Sequence, residues 1–154
     1  MDSVELVELN MVGSFFGTSI DNVVGQIWIR DSYYQNSRRS LPIEELGLSI
    51  EKYLGQKRVT LVSEYIDARL LGDIYLAELL PQVIGSGKEF LPVKIETDVI
   101  ETKAQNDFTF NVNLKNPGPV FETLTPSVLF RENTSLSGFF REGGQSLFIE
   151  GIIP

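Results

Sequence analysis

Apolar and polar residues alternate with a period of two through most of the second half of the chain. The clearest run spans residues 108–114, where apolar Phe108, Phe110, Val112 and Leu114 interleave with Thr109, Asn111 and Asn113. This period is typical of a strand with one buried face and one face in water. Similar patterns predict strands at 93–99, 120–125, 127–131, 136–141 and 145–153. The last two are joined by a glycine-bearing connection and are expected to pair antiparallel.

The first half has a less regular pattern. Residues 4–12 and 23–30 are rich in β-branched and aliphatic residues and are interpreted as strands, and the polar stretch 31–40 as a surface loop. Residues 41–54 are predicted to form a short helix, because Ile43, Leu46, Ile50 and Tyr53 fall on one helical face. Gly55 can provide its left-handed C-terminal stop.

Residues 57–80 fit two interpretations. Strands at 59–66 and 73–80, joined by a turn at 68–72, agree with the alternation that begins at Val59. A helix over 66–80 agrees equally well with the spacing of Ile66, Leu70, Ile74 and Ala77, and Pro81 would end it. Periodicity does not choose between them.

The predicted elements define the fold class. About eight short strands with one inserted helix near 41–54 favour an antiparallel β-sandwich or a β-barrel over a parallel arrangement. The 154 residues, 42% of them apolar, match one β-rich domain over 1–154.

Composition removes many kinds of active site. The chain has neither cysteine nor histidine, so it lacks thiolate nucleophiles, disulfides and the usual ligands of soft metals, and we expect no cofactor. Its net charge of −8 opposes nucleic acid and anionic membranes. The sequence has no signal-peptide start and no apolar run long enough to span a bilayer, so we expect a soluble chain of undetermined location.

One segment resembles a known family. Residues 56–61 and 67–76 are similar to the strand, turn and strand of staphylococcal-nuclease-like domains, although the turn lacks the Tyr-Gly that precedes the family's arginine. The resemblance implies a phosphate contact for Arg69. In the Glu101-x-Lys103 triplet, Glu101 together with Asp73 or Asp98 would supply oxygen ligands for a divalent cation, and Lys103 is an alternative phosphate contact. A metal-dependent nuclease is therefore one alternative function.

The favoured function is a non-catalytic structural or protein-binding β domain, either self-assembling or bound to a protein partner. Many short strands have edges that invite pairing, and adjacent aromatic residues on a strand must face opposite sides. A homo-oligomeric component of a viral or bacteriophage particle fits these traits. The predicted contact residues are Tyr33, Tyr34, Arg38, Arg39, Phe139 and Phe140. The remaining alternative is a β-barrel that binds a small apolar ligand against Phe108, Phe110, Val112 and Leu114.

Overall fold

The computed structural model describes residues 4–36, 40–79, 105–124, 131–143 and 146–153. In these ranges eight strands form one antiparallel sheet, and each strand pairs with the next along the chain. The strands are β1 (Val4–Phe16), β2 (Val24–Asn36), β3 (Ser40–Tyr53), β4 (Gln56–Ser63), β5 (Ile66–Asp73), β6 (Asp107–Leu114), β7 (Thr134–Arg141) and β8 (Ser146–Ile152). The predicted mainly β, antiparallel fold class with eight strands is confirmed.

Helical structure is sparse in these ranges. A 3-10 turn lies at Ile20–Asn22, a helical turn at 76–79, and the short helix α1 at Gly118–Leu124. No helix within the described ranges is long and apolar enough to cross a membrane.

The strand register produces rows of side chains that run straight across all eight strands. One row contains only apolar residues and glycine: Phe15, Gly25, Ile50, Val59, Leu70, Phe110, Gly138 and Ile149. We call this the apolar row and its side of the sheet the apolar face. The neighbouring polar row is on the opposite, polar face: Ser14, Gln26, Ser49, Thr60, Arg69, Asn111, Ser137 and Glu150. Along these two rows, alternation places apolar residues on one side of the sheet and polar residues on the other, although the polar face also includes Val12, Trp28 and Phe139.

Lys57 fastens two connections at one end of the sheet. Its Nζ donates hydrogen bonds to the carbonyl oxygens of Asp21, at 2.7 Å, and Ile74, at 2.8 Å. The Asp21 carboxylate also accepts a hydrogen bond from the Ala77 backbone N–H at 3.0 Å. Burial lowers the pKa of Lys57, and the charge of Asp21 opposes that change. The β1–β2 connection and the segment after β5 are thereby held together.

At the opposite end, Tyr65 and α1 connect distant parts of the chain. The Tyr65 hydroxyl donates a 2.6 Å hydrogen bond to the Pro42 carbonyl of β3, and the Tyr65 carbonyl accepts from Lys115 and Asn116 after β6. Helix α1 also contacts β3, and Pro117 before it is fully buried. These contacts tie β6 back to β3.

The buried apolar side chains of the described ranges lie in the middle of the sheet. They belong to β3, to β6 and to the segments beside β5: Leu41, Ile50, Tyr65, Ile74, Phe108 and Leu114. None belongs to β8 or to residues 7–16 of β1. The core therefore sits around the central strands.

The helix predicted near 41–54 is wrong, because these residues form β3. Leu46, Leu48 and Ile50 lie together on the apolar face at a period of two. The pairing with β2 and β4, which the local pattern cannot reveal, overrides the helical spacing. The predicted loop at 31–40 is also wrong for most of its length, since β2 continues to Asn36 through a left-handed residue, Asp31, with φ of 45°.

Three other predictions are revised. The turn in residues 57–80 lies at Glu64–Tyr65, so the predicted turn at 68–72 is inside β5, and the 66–80 helix reduces to the helical turn at 76–79. Residues 120–124 belong to α1 and not to a strand, because the chain leaves the sheet at Pro117 and returns to contact β3. The predicted strand at 93–99 and residues 127–130 lie outside the described residues.

Candidate binding surfaces at the two sheet edges

Strand β1 forms one edge of the sheet and is exposed on both faces. Every residue from Val7 to Phe16 is exposed, with Val12 at 78% and Phe16 at 70%. The other exposed apolar side chains of this strand are Val7, Leu9, Met11 and Phe15. We call this surface the β1 edge.

Strand β8 forms the opposite edge and has the same character. All seven of its residues are exposed, and Ile152 reaches 71%. Leu147, Phe148 and Ile149 are the other exposed apolar side chains, and Glu150 is its one charged residue. We call this surface the β8 edge.

Edges of this kind are unusual in a protein that acts alone. An edge strand presents a row of unpaired N–H and C=O groups, and soluble proteins normally protect it with charges, proline or a covering element. The β1 edge between Val7 and Phe16 has one charged residue, Glu8, and no proline. Its one irregularity is a register shift between Glu8 and Asn10, which leaves the segment from Asn10 to Phe16 regular. Within the described ranges, neither edge is paired with another strand.

Four of the six contact residues predicted from the sequence lie one strand inside these edges. Tyr33 and Tyr34 are half-buried on β2 and pair with Glu8 and Val7 of the β1 edge. Four strands separate β2 from β7 in the strand order, so the tyrosines and the phenylalanines belong to opposite ends of the strand order.

The two phenylalanines on β7 point to opposite faces. Phe139 stacks on Phe148 of the β8 edge with ring centres 5.6 Å apart, and Phe140 packs against buried Phe108 at 5.5 Å. The Arg141 guanidinium lies 4.8 Å from the Phe139 ring centre, on the polar face. Arg38 and Arg39 lie outside the described residues, so their predicted role stays a prediction.

The β3–β4 hairpin ends in an exposed apolar residue with a strained backbone. Tyr53 pairs with Gln56, so Leu54 and Gly55 form a two-residue loop, with φ of 51° and 83°. Positive φ at both positions is the signature of a type I′ turn, which favours Asn-Gly. Leu54 is 87% exposed. The sequence therefore places leucine where both backbone and solvent favour a polar residue.

An open depression of about 600 Å³ lies between the β1–β2 connection and β3. Charged and apolar side chains both line it: Phe16, Gly17, Thr18, Asn22, Val24, Glu51 and Lys52. The Asn22 side chain shapes its wall, since Oδ1 accepts hydrogen bonds from the Thr18 and Ser19 backbone N–H groups. None of the residues predicted to line an apolar ligand cavity, 108–114, contributes to it.

The residues of the nuclease alternative do not converge in the described ranges. Arg69 is an exposed residue in the middle of β5, opposite Thr60 and Asn111, and not part of a turn. No group of three acidic residues that could hold a metal ion occurs in the part of the chain that the structure describes. Asp98, Glu101 and Lys103 lie outside it.

Sequence reasoning missed the exposure of both edges, although one signal was available. Residues 4–12 fit neither a period of two nor a helical stripe, because apolar side chains occupy both faces of the strand. Such a pattern is typical of a strand buried on both faces, and only the strand order shows that this one is an edge. A scan against protein-family models, a search of curated proteins and a search of solved structures each find no match to this chain.

Proposed function

We propose that this protein is a structural, non-catalytic β-sheet domain that associates with other protein chains through its β1 and β8 edges. The supporting observation is that, among the described strands, none pairs with the outer side of β1 or β8, and residues 7–16 and 147–152 expose apolar side chains on both faces. Such edges suit a component of a repeating assembly, such as a viral or bacteriophage particle, in which head-to-tail contacts recur from copy to copy.

The energetic argument combines two contributions. A strand added to an edge satisfies backbone N–H and C=O groups that otherwise face water. It also places neighbours beside exposed side chains such as Val12 and Ile152, and each cross-strand pair contributes roughly 0.2–1 kcal/mol. Both contributions favour association and oppose the loss of translational and rotational freedom that it costs.

The first test places a lysine on each edge. Val12→Lys and Ile152→Lys change side chains that are 78% and 71% exposed, so neither should disturb the monomer. Both introduce a charge of the kind that natural edge strands use against pairing. Sedimentation velocity should show a large complex for the unmodified chain and a smaller species for each variant.

Leu54→Lys is the matched control. It makes the same chemical change at an apolar residue that is 87% exposed but lies in a hairpin turn and not on an edge, and its sedimentation should match that of the unmodified chain. The proposed function would be overturned if the unmodified chain sediments as a monomer and binds no other protein chain. It would also be overturned if the edge variants sediment like the control.

A further inference from the structure

We infer that the occupant of the β1 edge is the β8 edge of a second copy of this chain, paired antiparallel so that one continuous sheet runs through both copies. The inference rests on the proposed function and specifies its partner and geometry. Contacts of this type are head-to-tail, since each copy uses two different surfaces.

Strand direction is the first argument. Each of the eight strands is antiparallel to its neighbour, so β1 and β8 run in opposite directions. A second copy placed beside the first in the same orientation therefore presents β8 antiparallel to β1, with its apolar face on the same side. The existing pattern of the sheet simply continues across the contact.

The rows of the sheet provide the second argument. The apolar row ends at Phe15 on one edge and Ile149 on the other, and the polar row ends at Ser14 and Glu150. If the second copy continues these rows, an apolar residue meets an apolar residue and a hydroxyl meets a carboxylate. The third complete row joins Gly13 to Gly151.

Charge agrees with this register. Five residues of β1, Val12–Phe16, face five residues of β8, Phe148–Ile152. Glu8 lies outside that segment, and Glu150 faces Ser14, so no two carboxylates oppose one another. Cross-strand pairs of like charge are destabilising, and this register has none.

The number of edges that each contact covers favours head-to-tail pairing over a symmetric dimer. Two β1 edges could also pair around a two-fold axis, but that contact leaves the β8 edge of each copy exposed. The head-to-tail contact covers both kinds of edge with a single type of interface, and its repetition gives a ring or a filament.

Disulfide trapping tests the geometry directly, because the chain contains no cysteine and each introduced thiol is unique. Ser14→Cys and Glu150→Cys are prepared as separate variants and mixed under mild oxidation. We expect a disulfide-linked dimer in the mixture and none from either variant alone. Thr109→Cys is the control partner for Ser14→Cys, since it is exposed on the same face but two strands inside the β8 edge, and it should give none.

The outcomes distinguish this inference from the proposed function. A Ser14→Cys variant that links to itself would show symmetric pairing, and a large complex that gives no link in the mixture would show another contact; either overturns the head-to-tail geometry and leaves self-association standing. The double variant Ser14→Cys/Glu150→Cys should form linked ladders. If it links only within one chain, the sheet closes on itself as a barrel, and both proposals are refuted. A monomeric unmodified chain that yields no link refutes both as well.

Discussion

Replacing Leu54 with asparagine should stabilise the protein. Leu54 has a φ of 51° in the type I′ turn between β3 and β4. A left-handed backbone costs most residues roughly 1–2 kcal/mol, whereas asparagine tolerates it through local hydrogen bonds. Only about an eighth of Leu54 is covered, so the lost burial is a few tenths of a kcal/mol. The net gain should be about 0.5–1 kcal/mol.

Urea denaturation followed by far-UV circular dichroism measures this gain, at a concentration low enough to keep the chain monomeric. In a thermal melt of a chain of this size, we expect Tm to rise by roughly 1–4 °C. The slope of the free energy of unfolding against urea should not change, since the surface exposed on unfolding is the same.

Two controls separate the backbone contribution from the side chain. Leu54→Ala removes the leucine contacts but keeps the strained backbone, so it should not stabilise. Gly55→Ala adds a methyl group that meets nothing within 4 Å, at a φ of 83°, and it should destabilise by about 1 kcal/mol for conformational reasons alone. A Leu54→Asn variant no more stable than Leu54→Ala would refute the turn-strain argument.

Three further predictions concern the interior. Gly47→Ala should destabilise by about 1–3 kcal/mol and shift the fluorescence of Trp28, the one tryptophan, because the new methyl group would lie 2.5 Å from its ring; an unchanged spectrum contradicts this. Burial, then the charges of neighbouring carboxylates, raises the pKa of Tyr65, so the free energy of unfolding should fall as pH rises above about 10. Tyr65→Phe should not lose stability at alkaline pH, and at pH 7 it should be about 1 kcal/mol less stable because the hydrogen bond to the Pro42 carbonyl is missing. If the variant loses as much stability at alkaline pH as the unmodified chain, this role of Tyr65 is refuted. Asn106 is 2% exposed, and its side chain accepts a hydrogen bond from the Tyr75 backbone N–H. Asn106→Ala should therefore lower the free energy of unfolding by about 1–3 kcal/mol in urea denaturation, and no measurable decrease would refute that role.

Residues whose local pattern agrees with their neighbours in the sheet could be predicted from the sequence. Alternation at 108–114 predicts β6 nearly to the residue, because one face packs in the core and the other is wet. The same holds for β7 and β8, where a short glycine-bearing link specifies an antiparallel pair. In these segments the local sequence pattern is sufficient to predict the strand.

The failures occur where pairing decides the structure. Residues 41–54 satisfy a helical stripe and a strand equally well, and only the flanking strands β2 and β4 select β3. The edges are a similar case, since apolar side chains on both faces of β1 suggest a central strand. Which strand lies at an edge depends on the order of all eight, and that order is not written in any one segment.

The distribution of buried residues explains why the edges would gain from a partner. The buried apolar side chains of the described ranges belong to β3, to β6 and to the segments next to β5. Residues 7–16 of β1 and all of β8 contribute none, and each of these strands is held by a single ladder. Strands held this way open at lower free energy than the centre of the sheet. A second copy that pairs with β1 would supply the missing ladder and cover its outer side chains, so binding and edge ordering are coupled. Amide exchange in β1 and β8 should then slow with protein concentration, while exchange in β4 and β5 stays constant.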